Sequence, residues 1–250
     1  MKLVAWISTA LAVLDAAVAG VKTAPIPTAR SVVLVHGIYS SSGDMKRLAR
    51  HLEREGREVF SLDLYPCDGR CGLDELAKQL ATFIEEKVPR GKFDLVGFSM
   101  GGLVARQMVA DGFSCQALIS IATPHQGTAP WVPPHSPGTW ALSRWSTRLR
   151  ALNSNSADKE CRSRYHFFAV TYRDRLGYHD DDSIVTARSA LGASLGPIAQ
   201  RKKIQLNYGQ DLGRRILGSP HARGMSPRVL APVFDTCAEV FSVLPGCDHS

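Results

Sequence analysis

The feature that most constrains this chain is the pentapeptide Gly97-Phe98-Ser99-Met100-Gly101, set between two apolar runs, Phe93 to Val96 and Leu103 to Ala110. The first reads as a short buried strand and the second as a helix, so the pentapeptide must turn the chain sharply. At such a bend the serine takes a strained backbone angle, and glycines two positions either side are needed because a side chain there would collide with the neighbouring helix and strand. Ser99 then projects its hydroxyl from the C-terminal end of its strand. A serine in a Gly-rich turn is common; the flanking strand and helix make this one a candidate nucleophile.

A hydroxyl is a poor nucleophile at neutral pH unless a base removes its proton, and the developing oxyanion needs donors already in place. Two are expected: the N–H of Met100 at the helix N-terminus, and that of Ile38, just after His36-Gly37 on the first strand's exit loop. Losing one such donor typically costs about 3 kcal/mol of transition-state stabilisation. His36 reads as a loop-fixing residue rather than a base.

With 250 residues, 44% of them hydrophobic and 21% charged, the chain fits an ordinary globular protein and excludes disordered or collagen-like architectures. One domain over residues 20–250 is expected, with no internal repeat. Ser31 to His36, Glu58 to Leu64, Phe93 to Val96, Ala117 to Ala122, His166 to Tyr172 and Lys203 to Tyr208 read as strands. Asp44 to Glu55, Leu73 to Val88, Leu103 to Ala110 and Ser226 to Val243 read as helices, the last closing the fold. Alternation of this kind builds an α/β architecture, a mostly parallel sheet flanked by helices. From Pro124 to about Ala157 the sequence turns rich in Pro, Ser and Trp, an insertion rather than a sheet element, and Asp174 to Arg201 is where functional loops are expected.

Lys2, the apolar run Leu3 to Leu14 and the small residues Ala17-Val18-Ala19 follow signal-peptide grammar, which makes residues 1–19 an export signal and the protein secreted or periplasmic. Retention of that segment as a membrane anchor is the alternative. The net charge of +7 stays with residues 20–250, because residues 1–19 carry one Lys and one Asp. An even set of six cysteines suits disulfides in an exported protein, and spacing favours Cys67 with Cys71 and Cys237 with Cys247, leaving Cys115 and Cys161 as a third pair. Without CxxC or a neighbouring His pair, no metal is expected. The chemistry requires no cofactor.

Val33 to Gly37 (VLVHG), Gly97 to Gly102 (GFSMGG) and Ala122 to Thr128 (ATPHQGT) resemble the α/β-hydrolase superfamily, and within it the bacterial triacylglycerol lipases and related lipid-ester hydrolases. The resemblance is firm from about Val32 to Thr128 and loose beyond. It implies a serine carboxylic-ester hydrolase working through an acyl-enzyme, with a triad in the order Ser, Asp, His. Asp182, in Asp182-Ser183-Ile184-Val185 after the fifth strand, matches the family's acid; with Asp180 and Asp181 beside it, a solvated acidic loop or cation-binding turn is the alternative. The base is His221, in Gly218-Ser219-Pro220-His221, although the excursion Gln210 to Leu217 before it is longer than compact lipases use. His249 is penultimate, and His51, His135, His166 and His179 read as structural or surface residues, which leaves His125 as the substitute base.

A single glycine before Ile38 is associated within the family with medium or long acyl chains. Residues 124–160 become a cap or lid, with Trp131, Trp140 and Trp145 offering acyl-binding or interfacial surface. Arg144, Arg148, Arg150, Arg162 and Arg164 would lie near anionic headgroups or simply on a solvated face. The implied partner is a small-molecule or lipid ester, with transient contact to a lipid interface and no nucleic acid. An acyltransferase or thioesterase on the same triad, or a non-catalytic binding member of the fold, are the alternatives.

Overall fold

The computed structural model describes residues 30–89, 92–174 and 177–207. β1 (Ser31–Val35) is buried along its whole length, as expected of an uninterrupted Val/Leu run in a parallel sheet covered on both faces. It is followed by α1 (Ser42–Arg54), β2 (Val59–Leu62), α2 (Leu73–Lys87), β3 (Phe93–Phe98), α3 (Met100–Ala110) and β4 (Leu118–Ile121). After the insertion come β5 (Tyr165–Asp174), β6 (Gly177–His179), α7 (Ala187–Ala190) and β7 (Gln200–Asn207). The strand order is β2-β1-β3-β4-β5, with β7 parallel to β5 and β6 folded back antiparallel onto its end.

Alternation along the central strands assigns the two faces. Val33, Val35 and Leu95 pack with Leu76 and Leu80 of α2 and Leu103 of α3. Val32, Leu34, Val96 and Phe98 pack with Met45, Leu48 and Leu52 of α1. The three α1 residues stand at spacings of three and four and are fully or nearly fully buried, each contributing roughly 1.5–3 kcal/mol of apolar transfer.

The expected architecture is present, with shifts at element ends. β3 runs on to Phe98 and α3 starts at Met100, so the bend is tighter than the sequence indicated. β6 was not anticipated: three residues pairing with the end of a neighbouring strand carry too little pattern. The insertion contains no strand. It forms α4 (Pro137–Ala141), α5 (Thr147–Ser154) and α6 (Ser156–Cys161), then a 3-10 turn at Arg162–Arg164. Three of its polar residues are helix caps: Ser136, Ser146 and Asn155 accept from the N–H groups of Thr139, Leu149 and Asp158 at 3.3, 3.1 and 3.0 Å.

The disulfides expected from spacing between Cys67 and Cys71 and between Cys115 and Cys161 are not formed; all four are free thiols. Cys67 Sγ donates to the Ser40 carbonyl at 3.2 Å and Cys161 Sγ accepts from Arg164 at 3.0 Å. Burial pushes the Cys115 thiol up to about 12, which keeps it protonated and unreactive. Residues 1–19, His221, His249, Cys237, Cys247 and the closing helix lie outside the described residues. Among the described residues no helix is long and apolar enough to cross a membrane.

Candidate active site

Ser99 stands alone between β3 and α3 at φ 52° and ψ −122°, a backbone region that costs a non-glycine residue about 1–3 kcal/mol. The surroundings over-determine it. Its N–H donates to the Ile121 carbonyl on β4 at 2.8 Å, and its carbonyl accepts from Gly102 at 3.2 Å. A Cβ on Gly97 would lie 2.4 Å from the Gly102 nitrogen, and one on Gly101 would lie 2.2 Å from the Val35 carbonyl oxygen. Both glycines are therefore required by close backbone approach, the reason inferred from sequence.

The exit loop of β1 lies directly against the serine, since a Cβ on Gly37 would come within 3.1 Å of Ser99 Cβ. His36, fully buried, holds this loop: its Nε2 accepts from the Leu64 N–H at 2.9 Å, so Nδ1 carries the proton and donates to the Gly37 carbonyl at 2.8 Å. Both lone pair and proton are engaged, which fits a loop-fixing role. Met100 opens α3, so its amide is among those without an intrahelical partner.

Ser99 and Ile38 line one cavity of about 800 Å³, within the size range of small-molecule sites. The insertion supplies one wall through Thr128, Val132, Pro133, Pro134 and Leu142, and Ile184 and Val185 complete it. Asp182, fully buried, is two residues from that wall; its Oδ1 accepts the N–H groups of Ile184 at 3.0 Å and Val185 at 2.7 Å. A carboxylate receiving two amides in a turn is firmly aimed. The turn is tied to the insertion, because Trp131 Nε1 donates to the Ser183 carbonyl at 3.0 Å and the Ala129 N–H to the Ile184 carbonyl at 2.8 Å. Tyr39, Ser99, Ala122 and Ser183 are the four described non-glycine residues with positive φ. Tyr39 and Ser99 line this cavity, and Ala122 and Ser183 are within two residues of the lining residues Pro124 and Ile184, in keeping with the gathering of strained backbone at functional sites. Of the residues expected from sequence, Ser99 and Ile38 line one cavity, Met100 directly follows Ser99, and Asp182 is two residues from the wall residue Ile184; His221 lies outside the described residues.

His125 does not serve as a spare base. It is fully buried, stacked on Phe167 at 3.8 Å, and its Nδ1 accepts from Arg106 at 3.2 Å while Nε2–H donates to Ser120 Oγ at 2.8 Å. Burial and the charges of Arg106 and Arg162 hold its pKa well below 6.5, so the ring stays neutral. Behind it lies an ion cluster that sequence reading missed. Arg106 grips buried Asp158 through two bonds of 2.9 and 2.8 Å, Arg162 binds the same carboxylate, and Tyr165 donates to it at 3.2 Å. The arginines of the insertion divide accordingly. Arg162 is 5% exposed and committed to Asp158, which corrects the expectation that it faces headgroups. Arg164 donates to the Cys115 carbonyl, Arg148 pairs with Asp74, and Arg144 lies 5.3 Å over the Trp145 ring. A second cleft, about 840 Å³ and including Arg144 and Arg150, is separate from Ser99. Among the described residues no cluster of His, Cys, Asp or Glu could hold a metal.

Solved structures give the same arrangement of elements. The chain is similar to the lipase BlEst2 of Bacillus licheniformis in its mature form, with a TM-score of 0.64 and 16% identity over 86% of this chain and 94% of that one. It is also similar to phospholipase PlaB of Legionella pneumophila, with a TM-score of 0.53 and 15% identity over 64% of this chain and 45% of that one. Both likenesses show fold. In sequence, 108 residues are 34% identical to the lysosomal thioesterase PPT2 of Mus musculus, covering 39% of this chain. The match spans 35% of that relative's length. The alpha/beta hydrolase fold family matches residues 30–175, which carry the bend, the β1 exit loop and the whole insertion, and the chain belongs to that family.

Proposed function

We propose that the protein is a serine carboxylic-ester hydrolase acting on lipid-like esters. The observation that carries this reading is Ser99, held in a strained conformation by close backbone packing at the edge of an 800 Å³ cavity. Ser99 Oγ attacks the ester carbonyl while His221 takes its proton, Asp182 orients His221, and the amides of Ile38 and Met100 hold the oxyanion. His221 returns the proton to the departing alcohol, leaving the acyl group on Ser99. Water, activated by the same histidine, then releases the acid and restores the hydroxyl. The apolar wall from Val132 to Pro134 suits an acyl chain. Residues 1–19 would direct the enzyme out of the cytoplasm, an assignment that mass spectrometry of the mature N-terminus checks.

A thioester is the second reading, favoured by the similarity to PPT2 over 108 residues. It uses the same acyl-enzyme and differs in the leaving group. The test is hydrolysis of nitrophenyl esters across chain lengths beside matched acyl thioesters, together with fluorophosphonate labelling. Wild-type protein should be labelled at Ser99, and Ser99→Ala should lower turnover by roughly 10³-fold or more with an unchanged melting temperature. Retained turnover in the alanine variant ends the nucleophile assignment.

A further inference from the structure

The cavity beside Ser99 has two walls of opposite character. One is apolar, built from Val132, Pro133, Pro134, Leu142, Ile184 and Val185. The other is the exposed face of α1, which presents Lys46, Arg47 and Arg50. Lys46 and Arg50 are four residues apart and Arg47 and Arg50 three, so the three side chains rise from neighbouring positions on one helix surface.

Among the described residues no ion pair neutralises them. Asp44 is the one acidic residue among the described lining residues, and its carboxylate is engaged locally, Oδ2 accepting the Ser40 hydroxyl at 2.7 Å and the Ser41 N–H at 3.4 Å. Arg50 Nε donates to the Lys46 carbonyl at 3.4 Å, which holds the guanidinium along the helix. No acidic side chain among the described residues pairs with Lys46 or Arg47. Cations on an exposed helix face are ordinarily just solvated. These differ because they line the same cavity as Ser99 and as a surface suited to an acyl chain.

Resting on the serine-hydrolase reading, we propose that the preferred acyl donor carries a phosphate on its alcohol or thiol side. Lys46, Arg47 and Arg50 hold that phosphate while the acyl chain lies along Val132–Pro134 and Ile184–Val185. A guanidinium fork matches phosphate oxygens two at a time, and a lysine adds a point charge. The leaving group takes the cationic wall because the acyl chain takes the apolar one. A glycerophosphate ester and an acyl thioester of a small phosphorylated thiol share this chemistry, and the test separates them.

Binding is measured first on Ser99→Ala protein, where no turnover interferes, by calorimetry with octyl phosphate and octyl glucoside below their micelle thresholds. Octyl phosphate should bind at least about ten-fold more tightly, with the advantage shrinking as salt rises, because exposed charges are screened. The double variant Lys46→Gln/Arg47→Gln, altered only at exposed positions, should lose most of that advantage. Octyl phosphate binding no tighter than octyl glucoside, or a double variant that weakens both ligands equally, overturns the proposal. Turnover is then compared for decanoyl glycerophosphate, decanoyl glycerol and the decanoyl thioester of phosphopantetheine. At least one phosphorylated donor should exceed decanoyl glycerol in kcat/KM by about ten-fold, and which one does identifies the leaving group; preference for decanoyl glycerol over both overturns the proposal. Failure of the serine-hydrolase reading looks different: no fluorophosphonate label on Ser99 and no turnover of any ester, with octyl phosphate still preferred.

Discussion

Between Gly97 and Gly102 the chain has no room for a further atom, since a Cβ at Gly101 would sit 2.2 Å from a backbone oxygen of β1. From Ser136 to Arg164, on the insertion that walls the same cavity, the backbone is short capped helix held to α3 by a buried carboxylate between two arginines. The first region is shaped by steric exclusion between segments adjacent in the sheet; the second is attached by charge across 52 residues of sequence. The difference teaches that the nucleophile's position and the cavity's wall have independent supports, and each can be damaged with the other intact.

Asp158→Ala is the largest expected break. It leaves Arg106 and Arg162 buried without their carboxylate, a loss of about 3–5 kcal/mol read as a lower denaturant midpoint. Fluorophosphonate should still label Ser99 at temperatures where the variant is folded. Gly101→Ala should cost less stability, about 1–3 kcal/mol, yet remove labelling, because β1 or α3 must shift to admit the methyl group and the bend shifts with it. If Asp158→Ala abolished labelling as completely as Gly101→Ala, the two supports would not be independent.

The smallest effect is one of pH, and it belongs to the insertion side alone. His125 is neutral in the folded protein, held below 6.5 first by burial and then by Arg106 and Arg162, whereas in the unfolded chain it protonates near that value. The unfolded state therefore binds more protons below 6.5. Stability from this group is complete above that pH and falls as the pH drops through it, by at most about 1.4 kcal/mol per pH unit. His125→Gln should flatten this slope in melts taken between about pH 7 and 5. The glycine bend holds no titrating group and adds no slope of this kind.

The bend was legible from sequence because its constraint is local: strand, glycine, serine, glycine and helix follow each other within about twenty residues. His36 was legible as a loop fixer for the same reason. The insertion was read correctly as lying outside the sheet, but its Ser and Asn caps looked like loop composition. Asp158 gave no signal, because an acid within a polar helix becomes a buried ion only through Arg106 and Arg162, partners that spacing does not connect. The same limit applied to α1, whose Lys46, Arg47 and Arg50 read as the wet side of an amphipathic helix until the fold set them around the cavity that Ser99 lines. Spacing also suggested cysteine pairings that the free thiols at Cys67, Cys71, Cys115 and Cys161 do not make.

Trp131 is 59% exposed, yet its indole proton is fastened to the carbonyl one residue past Asp182. Whatever meets that ring from outside, whether a droplet of fat, a detergent or another macromolecule, meets a residue hydrogen-bonded to the turn that holds the buried carboxylate. One short turn of backbone thereby joins a ring open to solvent with a fully buried carboxylate.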